Sequence, residues 1–212
     1  KKDGRTSVSY SGYVAWDRTL KTLDMMTADE LLSYAKTNNI TQLNDYYNVD
    51  NPANTNWQDE VLRTGFSHNH NVSINGGNEK TNYSASLNFQ DREGVVRGTN
   101  MDRLNARTFV QTKALNNRLE LALSLNASIR NSSTGPTDIQ GRSVLDAMYY
   151  YNPLVPVKNE DGTWYRNLNI SQNYNPLSMI NEDRYDTKEK LLQGTAQATL
   201  HIIDGLDWNL NL

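Results

Sequence analysis

The chain contains no cysteine, so neither a disulfide framework nor a thiolate metal site can be built from it. It has no run of about 18 apolar residues, which excludes a transmembrane helix. Basic clusters are missing too, and with a formal charge of -3 and a pI near 5.6 the chain does not point to nucleic acid as a partner. There is no glycine-rich phosphate loop with its lysine, no nucleophile elbow, and no Ser/His/Asp set in a supporting context. No enzyme is expected, and no cofactor. A mean hydropathy of -0.74 describes a soluble domain at face value. Alternating lumen-facing residues and polar loops depress that average in any β-barrel, however, so it does not exclude a membrane.

What the sequence does have is alternation. Leu119, Leu121, Leu123, Leu125, Ala127 and Ile129 occupy every odd position, and Arg118, Glu120, Ser124, Asn126, Ser128 and Arg130 fall between them. Side chains on a strand point alternately to opposite faces, so one face is hydrocarbon and the other polar. The run is also longer than the usual strand of about 5 to 6 residues and reaches the roughly 9 to 11 that a tilted strand needs to cross a bilayer. The same pattern predicts strands near 5–16, 69–75, 81–90, 103–113, 118–130, 190–203 and 206–212. The fold class that follows is all-β, a segment of an antiparallel transmembrane β-barrel with its apolar face toward lipid.

The connections carry the second signal. Long segments, 17–67 and 131–189, and a moderate one near 91–102 alternate with tight turns at Gly76, Gly77 and Asn78, at 114–117, and at Asp204 and Gly205. Outer-membrane barrels have short periplasmic turns and longer outer loops, so the parity places every long connection on one surface. Within the first loop, Thr27 and Glu30 form a capping box ahead of a helix over 28–36. A second helix begins after Asn56, with Trp57, Val61 and Leu62 inward and Gly65 past its end. The segment 131–189 lacks periodicity and holds four of the five prolines. Seven strands are an odd count with two bare edges, and open edges do not sit in lipid. The reading is of residues 1–212 as a partial barrel domain of a larger polypeptide. Lys1, Lys2 and Asp3 lead straight into strand pattern, so a leader was removed or the chain is an internal piece.

The run NWQDEVLRTGFSHNHNVSINGGNEKTNYSASLNFQDREGVVRG from Asn56 to Gly98, continued by MDRLNART, resembles the early barrel of SusC/RagA-type TonB-dependent outer-membrane transporters. YNPLVPVKNEDGTWY from Tyr151, and YNPL from Tyr174, are similar to segments of the same family. The resemblance implies a barrel of about 22 strands with a plugged lumen, preceded by a plug domain and a TonB-contacting segment that lie outside these residues. It also implies a SusD-like surface lipoprotein over the outer loops, a cargo of oligosaccharides or peptides, and the outer membrane as location.

Candidate site residues are few. Tyr46, Tyr47, Tyr149, Tyr150, Tyr151, Trp164 and Tyr165, with Tyr174, lie in the long connections. Their rings either stack on sugars or peptide side chains, or pack the loops against themselves. His68 and His70 point the same way on a strand, but no third ligand of fitting spacing accompanies them, and a hydrogen-bonding role is preferred to metal. Asp45 and Asp50 lack the spacing of a calcium loop. Arg107, Arg118, Glu120, Asn126, Arg130, Gln193, Gln197 and His201 are read as lumen scaffold. Two rival functions remain at this point: a soluble β-sandwich that binds carbohydrate by itself, its apolar faces packed sheet on sheet, and a passive barrel or porin without a plug.

Overall fold

The computed structural model describes residues 4–136, 143–168, 170, 174–183 and 185–212; the three leading residues of the sequence reading lie outside these. Seven strands form one sheet in simple sequence order, each antiparallel to the next. They are β1 (Ser7–Asp17), β2 (Gly65–Gly77), β3 (Thr81–Glu93), β4 (Asn100–Ala114), β5 (Leu119–Thr134), β6 (Tyr185–Ile203) and β7 (Leu206–Asn211). An antiparallel meander puts alternate connections on opposite edges. The edge carrying 18–64, 94–99 and 135–184 therefore holds all three longer connections, and the other holds 78–80, 115–118 and 204–205.

β2 to β6 run past the bounds that side-chain periodicity marks, each at one end or both, whereas β1 starts at Ser7 rather than 5 and β7 stops at Asn211 rather than 212. β2 begins at Gly65, paired with Asp17, rather than near 69; its first residues alternate phenyl, hydroxyl and imidazole, which do not read as apolar against polar. Gly65 is thus the start of a strand and not the stop of a helix. β6 begins at Tyr185, because its pairing with Asn131, Ser132, Ser133 and Thr134 of β5 continues through residues polar on both faces. Backbone hydrogen bonds hold this stretch where hydrophobicity offers no pattern. Arg118, read as strand, belongs to the turn before β5; its carbonyl accepts the His201 N–H at 2.8 Å.

The β2–β3 turn also differs. Gly76 and Gly77 are paired with Tyr83 and Asn82 inside the ladder, and neither has a positive φ. The turn is instead 78–80, closed by Asn78, whose side-chain oxygen accepts from the Lys80 and Thr81 N–H groups at 2.9 and 2.8 Å. Glycine is needed at 76 because the Tyr83 ring lies where a Cβ would be, and the Tyr83 hydroxyl reaches Thr6 Oγ1 at 2.6 Å.

The long connections fold. They contain α1 (Ala28–Thr37), α2 (Leu43–Tyr46), α3 (Trp57–Val61), α4 (Val144–Tyr150) and α5 (Pro176–Glu182). The last three surround a core of Trp57, Val61, Val144, Met148, Tyr151, Val155, Leu177 and Met179. Nearly all the fully buried apolar residues lie in this loop unit, and the sheet contributes none. α1 has its capping box: Glu30 N–H donates to Thr27 Oγ1 at 3.3 Å, and Thr27 N–H and hydroxyl donate to Glu30 Oε2, both at 2.9 Å. The Thr27 backbone N–H, and then its hydroxyl, hold the Glu30 carboxyl below its ordinary value of 4.5. A carboxyl depressed by folding stabilises above the unfolded value and loses that effect as pH falls toward the folded one. The first-turn amides of α1 are therefore expected to lose hydrogen-exchange protection on the acid side of 4.5, and less so in Glu30→Gln. Equal pH dependence in the two proteins contradicts this.

Candidate functional site

Among the described residues nothing covers the apolar face of the sheet. Val8, Val14, Val72, Leu87, Leu104, Val110, Leu123, Ile129 and Leu192 are all exposed, Leu192 to 74% and Val8 to 70%. The register aligns them across strands: Leu104 opposite Ile129, Ala106 opposite Ala127, Val110 opposite Leu123, Phe89 opposite Leu104. Toward the long-loop edge this band ends at Trp16 and Phe66 on β1 and β2, at Phe89, Leu104 and Ile129 on β3 to β5, and at Leu192 on β6. Beyond it come Asp91, Asp102, Asn131 and Lys190.

That boundary descends through the register. Phe89 pairs with His70, four residues along β2 from Phe66, and Leu192 pairs with Ala127, two residues along β5 from Ile129. The drop is six residues over the five steps from β1 to β6, somewhat more than one per strand. At about 3.3 Å per residue and about 4.8 Å between strands, a band that is level in a membrane requires strands tilted by about 40°. Transmembrane barrels have tilts of about 35–45°. The other end of the band descends alike: it stops at Ile74 on β2 but reaches Leu119 on β5 and Leu200 on β6, which are partners of each other.

The opposite face is hydroxyl, amide and paired charge. Ser9 and Ser73 hydroxyls meet at 2.7 Å, Asn88 Nδ2 donates to Asn69 Oδ1 at 3.1 Å, and Asn105 Nδ2 to Asn126 Oδ1 at 3.0 Å. Arg130 pairs with Glu189 at 3.2 Å, Lys113 with Glu120 at 2.7 Å, and His201 Nδ1 lies 2.6 Å from Asp207 Oδ1. Such cross-strand pairs hold register without apolar contact.

The two strand histidines prove to belong to the apolar face. Their rings are 5.2 Å apart; His68 lies against Phe66 and Phe89, and His70 Nδ1 is 2.7 Å from the Tyr10 hydroxyl. They extend a ring of aromatics with Trp16, which sits 5.5 Å from Phe66 at the edge of the band. Aromatic residues of this kind gather at membrane–water interfaces. Among the described residues no group of three or more acidic or histidine side chains converges as a metal site would require.

The loop aromatics separate into two sets. Tyr151 is 4% exposed, its ring edge-on to Trp57 at 4.7 Å and its hydroxyl donating to the Tyr165 carbonyl at 3.2 Å. Tyr47, Trp164, Tyr165 and Tyr174 pack against the same core. Lys158 lies over the Trp164 ring at 4.4 Å, and Arg166 over Tyr174 at 5.7 Å. Burial pushes the phenols of Tyr151, Tyr47 and Tyr165 upward, so they stay neutral hydrogen-bonding groups. Tyr150, Tyr46 and Tyr149 instead present their rings to solvent, at 73, 43 and 37% exposure. Beside the core runs a cleft of about 380 Å³ lined by Leu23, Met25, Met26, Trp57, Gln58 and Tyr151 among others. One side of it is a strap held by buried Gln58, which accepts from Leu23 N–H at 2.8 Å and donates to the Leu23 carbonyl at 2.7 Å. The sequence reading missed this clasp, because a lone glutamine one residue into a short helix carries no signal of its own.

Long antiparallel strands, one face of exposed hydrocarbon bounded by aromatic and polar rims, and the tilt implied by that band together define a segment of transmembrane β-barrel wall. No family model matches the chain. It is 33% identical over 185 residues to the TonB-dependent receptor SusC of Bacteroides thetaiotaomicron, covering 82% of this chain and 17% of that protein. With the TonB-dependent receptor P3 of Formosa agariphila it shares 27% identity over 192 residues, 88% of this chain and 18% of that one. The chain thus spans less than a fifth of the length of these curated relatives. Its fold matches the RagAB peptide transporter with a TM-score of 0.73 at 19% identity, over 100% of this chain and 28% of that one. The RagAB peptide importer in its closed-closed state matches with a TM-score of 0.75 at 18% identity and the same coverage. The chain is a barrel segment of a SusC/RagA-type TonB-dependent receptor.

Proposed function

We propose that this segment is part of the wall of an energy-coupled importer in the outer membrane, with residues 1–212 forming a partial barrel domain. The observation that carries the reading is the segregation of connections, with all long ones, folded around their own core, on one edge. That edge faces outward from the cell, and the tight turns face the periplasm. Oligosaccharide or peptide cargo meets the loop unit there, against Tyr46, Tyr149 and Tyr150, with Tyr47, Tyr151, Trp164 and Tyr165 holding the unit beneath them. A SusD-like lipoprotein closes over the loops, and TonB acts through a plug encoded elsewhere in the polypeptide. Both SusC and RagAB, similar proteins by sequence and by fold respectively, support this assignment.

The test is to fractionate source cells and probe with an antibody raised against the 17–67 loop. A polypeptide several times this length in the outer-membrane fraction is the expected result. A small soluble product instead overturns the importer and favours the carbohydrate-binding sandwich.

A further inference from the structure

The cleft of about 380 Å³ beside the loop core is walled by this chain on both sides. Residues 22–27 form one wall, and 54–58 with Met148, Tyr151 and Pro153 form the other. The walls hold each other: Gln58 grips Leu23 through its backbone N–H and carbonyl, and Asn54 Oδ1 accepts from the Ala28 N–H at 2.9 Å. The cleft therefore takes its shape from contacts within the long connections and from no free strand edge. Most of its polar side chains are already engaged. Thr55 Oγ1 donates to the Val155 carbonyl at 2.6 Å, Asn56 Oδ1 accepts from the Gln58 N–H at 3.1 Å while its Nδ2 donates to Asp59 at 2.7 Å, and Thr27 is held in its capping box with Glu30. What faces the space is largely hydrocarbon and sulfur: Met25, Met26 and Met148, three of the five methionines of the chain, above Trp57 and Tyr151. Asp24 is the one charged residue of the lining.

A sugar in such a cleft would need several convergent donors and acceptors, and here these serve the protein itself. It would also need an open ring face, but Trp57 and Tyr151 are each only 4% exposed. Unbranched thioether side chains adapt to apolar groups of different shape. One carboxylate in a lining without a cation suits one ammonium. The two features meet in the amino end of a peptide whose first side chain is apolar. We propose that the cleft receives the amino-terminal residue of a peptide cargo, its side chain among the three methionines and its α-ammonium at Asp24. The inference rests on the importer reading above and narrows its cargo from oligosaccharide or peptide to peptide. One helix joins the two: α4 contributes Met148 to the cleft and carries the exposed Tyr149 and Tyr150.

The full-length receptor in detergent is titrated calorimetrically with three probes: a pentapeptide with leucine first and glycine and serine after it, the same peptide N-acetylated, and maltoheptaose. The free peptide is expected to bind roughly tenfold more tightly than the acetylated one, the worth of one charge-assisted hydrogen bond, and maltoheptaose to leave the cleft empty. Asp24→Asn should erase the difference between the two peptides. Met25→Ser/Met26→Ser should weaken both alike by roughly tenfold, as lost apolar contact implies. All three side chains are exposed and lie outside the Gln58 clasp, so the long connections of both variants should keep their resistance to external protease. A free peptide held no better than the acetylated one, or affinities unmoved in the methionine variant, overturns the proposal. Heat from maltoheptaose that vanishes in the methionine variant assigns the cleft to glycan and overturns it as well. Insertion is scored separately by heat-dependent electrophoretic mobility. An inserted wild type that binds neither peptide brings down this inference alone, whereas one that never inserts brings down the importer reading with it.

Discussion

Leu123→Lys in the full-length receptor is expected to leave little folded barrel in the outer membrane, while Ser124→Lys assembles. The two residues are adjacent on β5 and face opposite ways. Leu123 lies between Val110 of β4 and Ala196 of β6 near the middle of the apolar band, and is half exposed. Ser124 lies between Phe109 and Thr195 on the polar face. A lysine on the lipid side at mid-bilayer costs roughly 2–4 kcal/mol, whereas a lumen substitution changes selectivity more than stability. Neighbouring positions share strand, depth and added charge, so only the face differs. The readout is the yield of heat-modifiable barrel in the outer-membrane fraction for each variant. Equal yields would mean that hydrocarbon does not contact Leu123, and the sheet would then have to bury that face against protein.

The contrast between those neighbours was legible in the sequence, because period-two alternation is a property of side chains alone. β3 and β5 could be read for that reason. The outer parts of β2 and β6 could not: Tyr185 to Glu189 are polar on both faces, and the ladder to β5 continues there through backbone groups that every residue possesses. The paired glycines misled in another way. Gly76 and Gly77 suit a turn by their conformational freedom, but at Gly76 what is used is the missing side chain, which gives the Tyr83 ring its place.

The loop unit was the least legible part. α4 and α5 have seven residues each, fewer than two full turns beyond their caps, so no helical period can repeat in them. Their visible signals were local: Ser143 with Asp146 as a capping box, and Asn175 before Pro176. Nothing local separates Tyr150 from Tyr151. The difference is that α4 ends between them, so the first ring is left in solvent while the second turns under Trp57. The tilt of the wall was also hidden, because it appears only when the apolar limits of separate strands are compared in register.

Trp57→Ala is expected to dissolve the loop unit without dissolving the wall. Trp57 is 4% exposed at the centre of the α3, α4 and α5 core; its indole Nε1 donates to the Asn152 carbonyl at 3.0 Å, and its ring carries Tyr151. Truncating a buried tryptophan to alanine costs about 3–5 kcal/mol, a large loss for three helices of five to seven residues. The strands do not depend on it, since their pairing is backbone ladder and no strand residue belongs to this core or packs against it as a partly buried apolar neighbour. The variant should therefore insert with normal heat-dependent mobility, yet be cut rapidly by external protease in the long connections. If Tyr46 and Tyr149 meet cargo as proposed, cargo binding should fall with it, because both lose the support that sets their positions. Tyr150→Ala separates packing from the proposed cargo contact: Tyr150 is exposed beyond the core, so the variant should keep protease resistance, and a fall in affinity then reports loss of stacking alone. If Trp57→Ala stays protease-resistant, the long connections are held from outside this core; if it fails to insert, the loops and the wall fold as one unit.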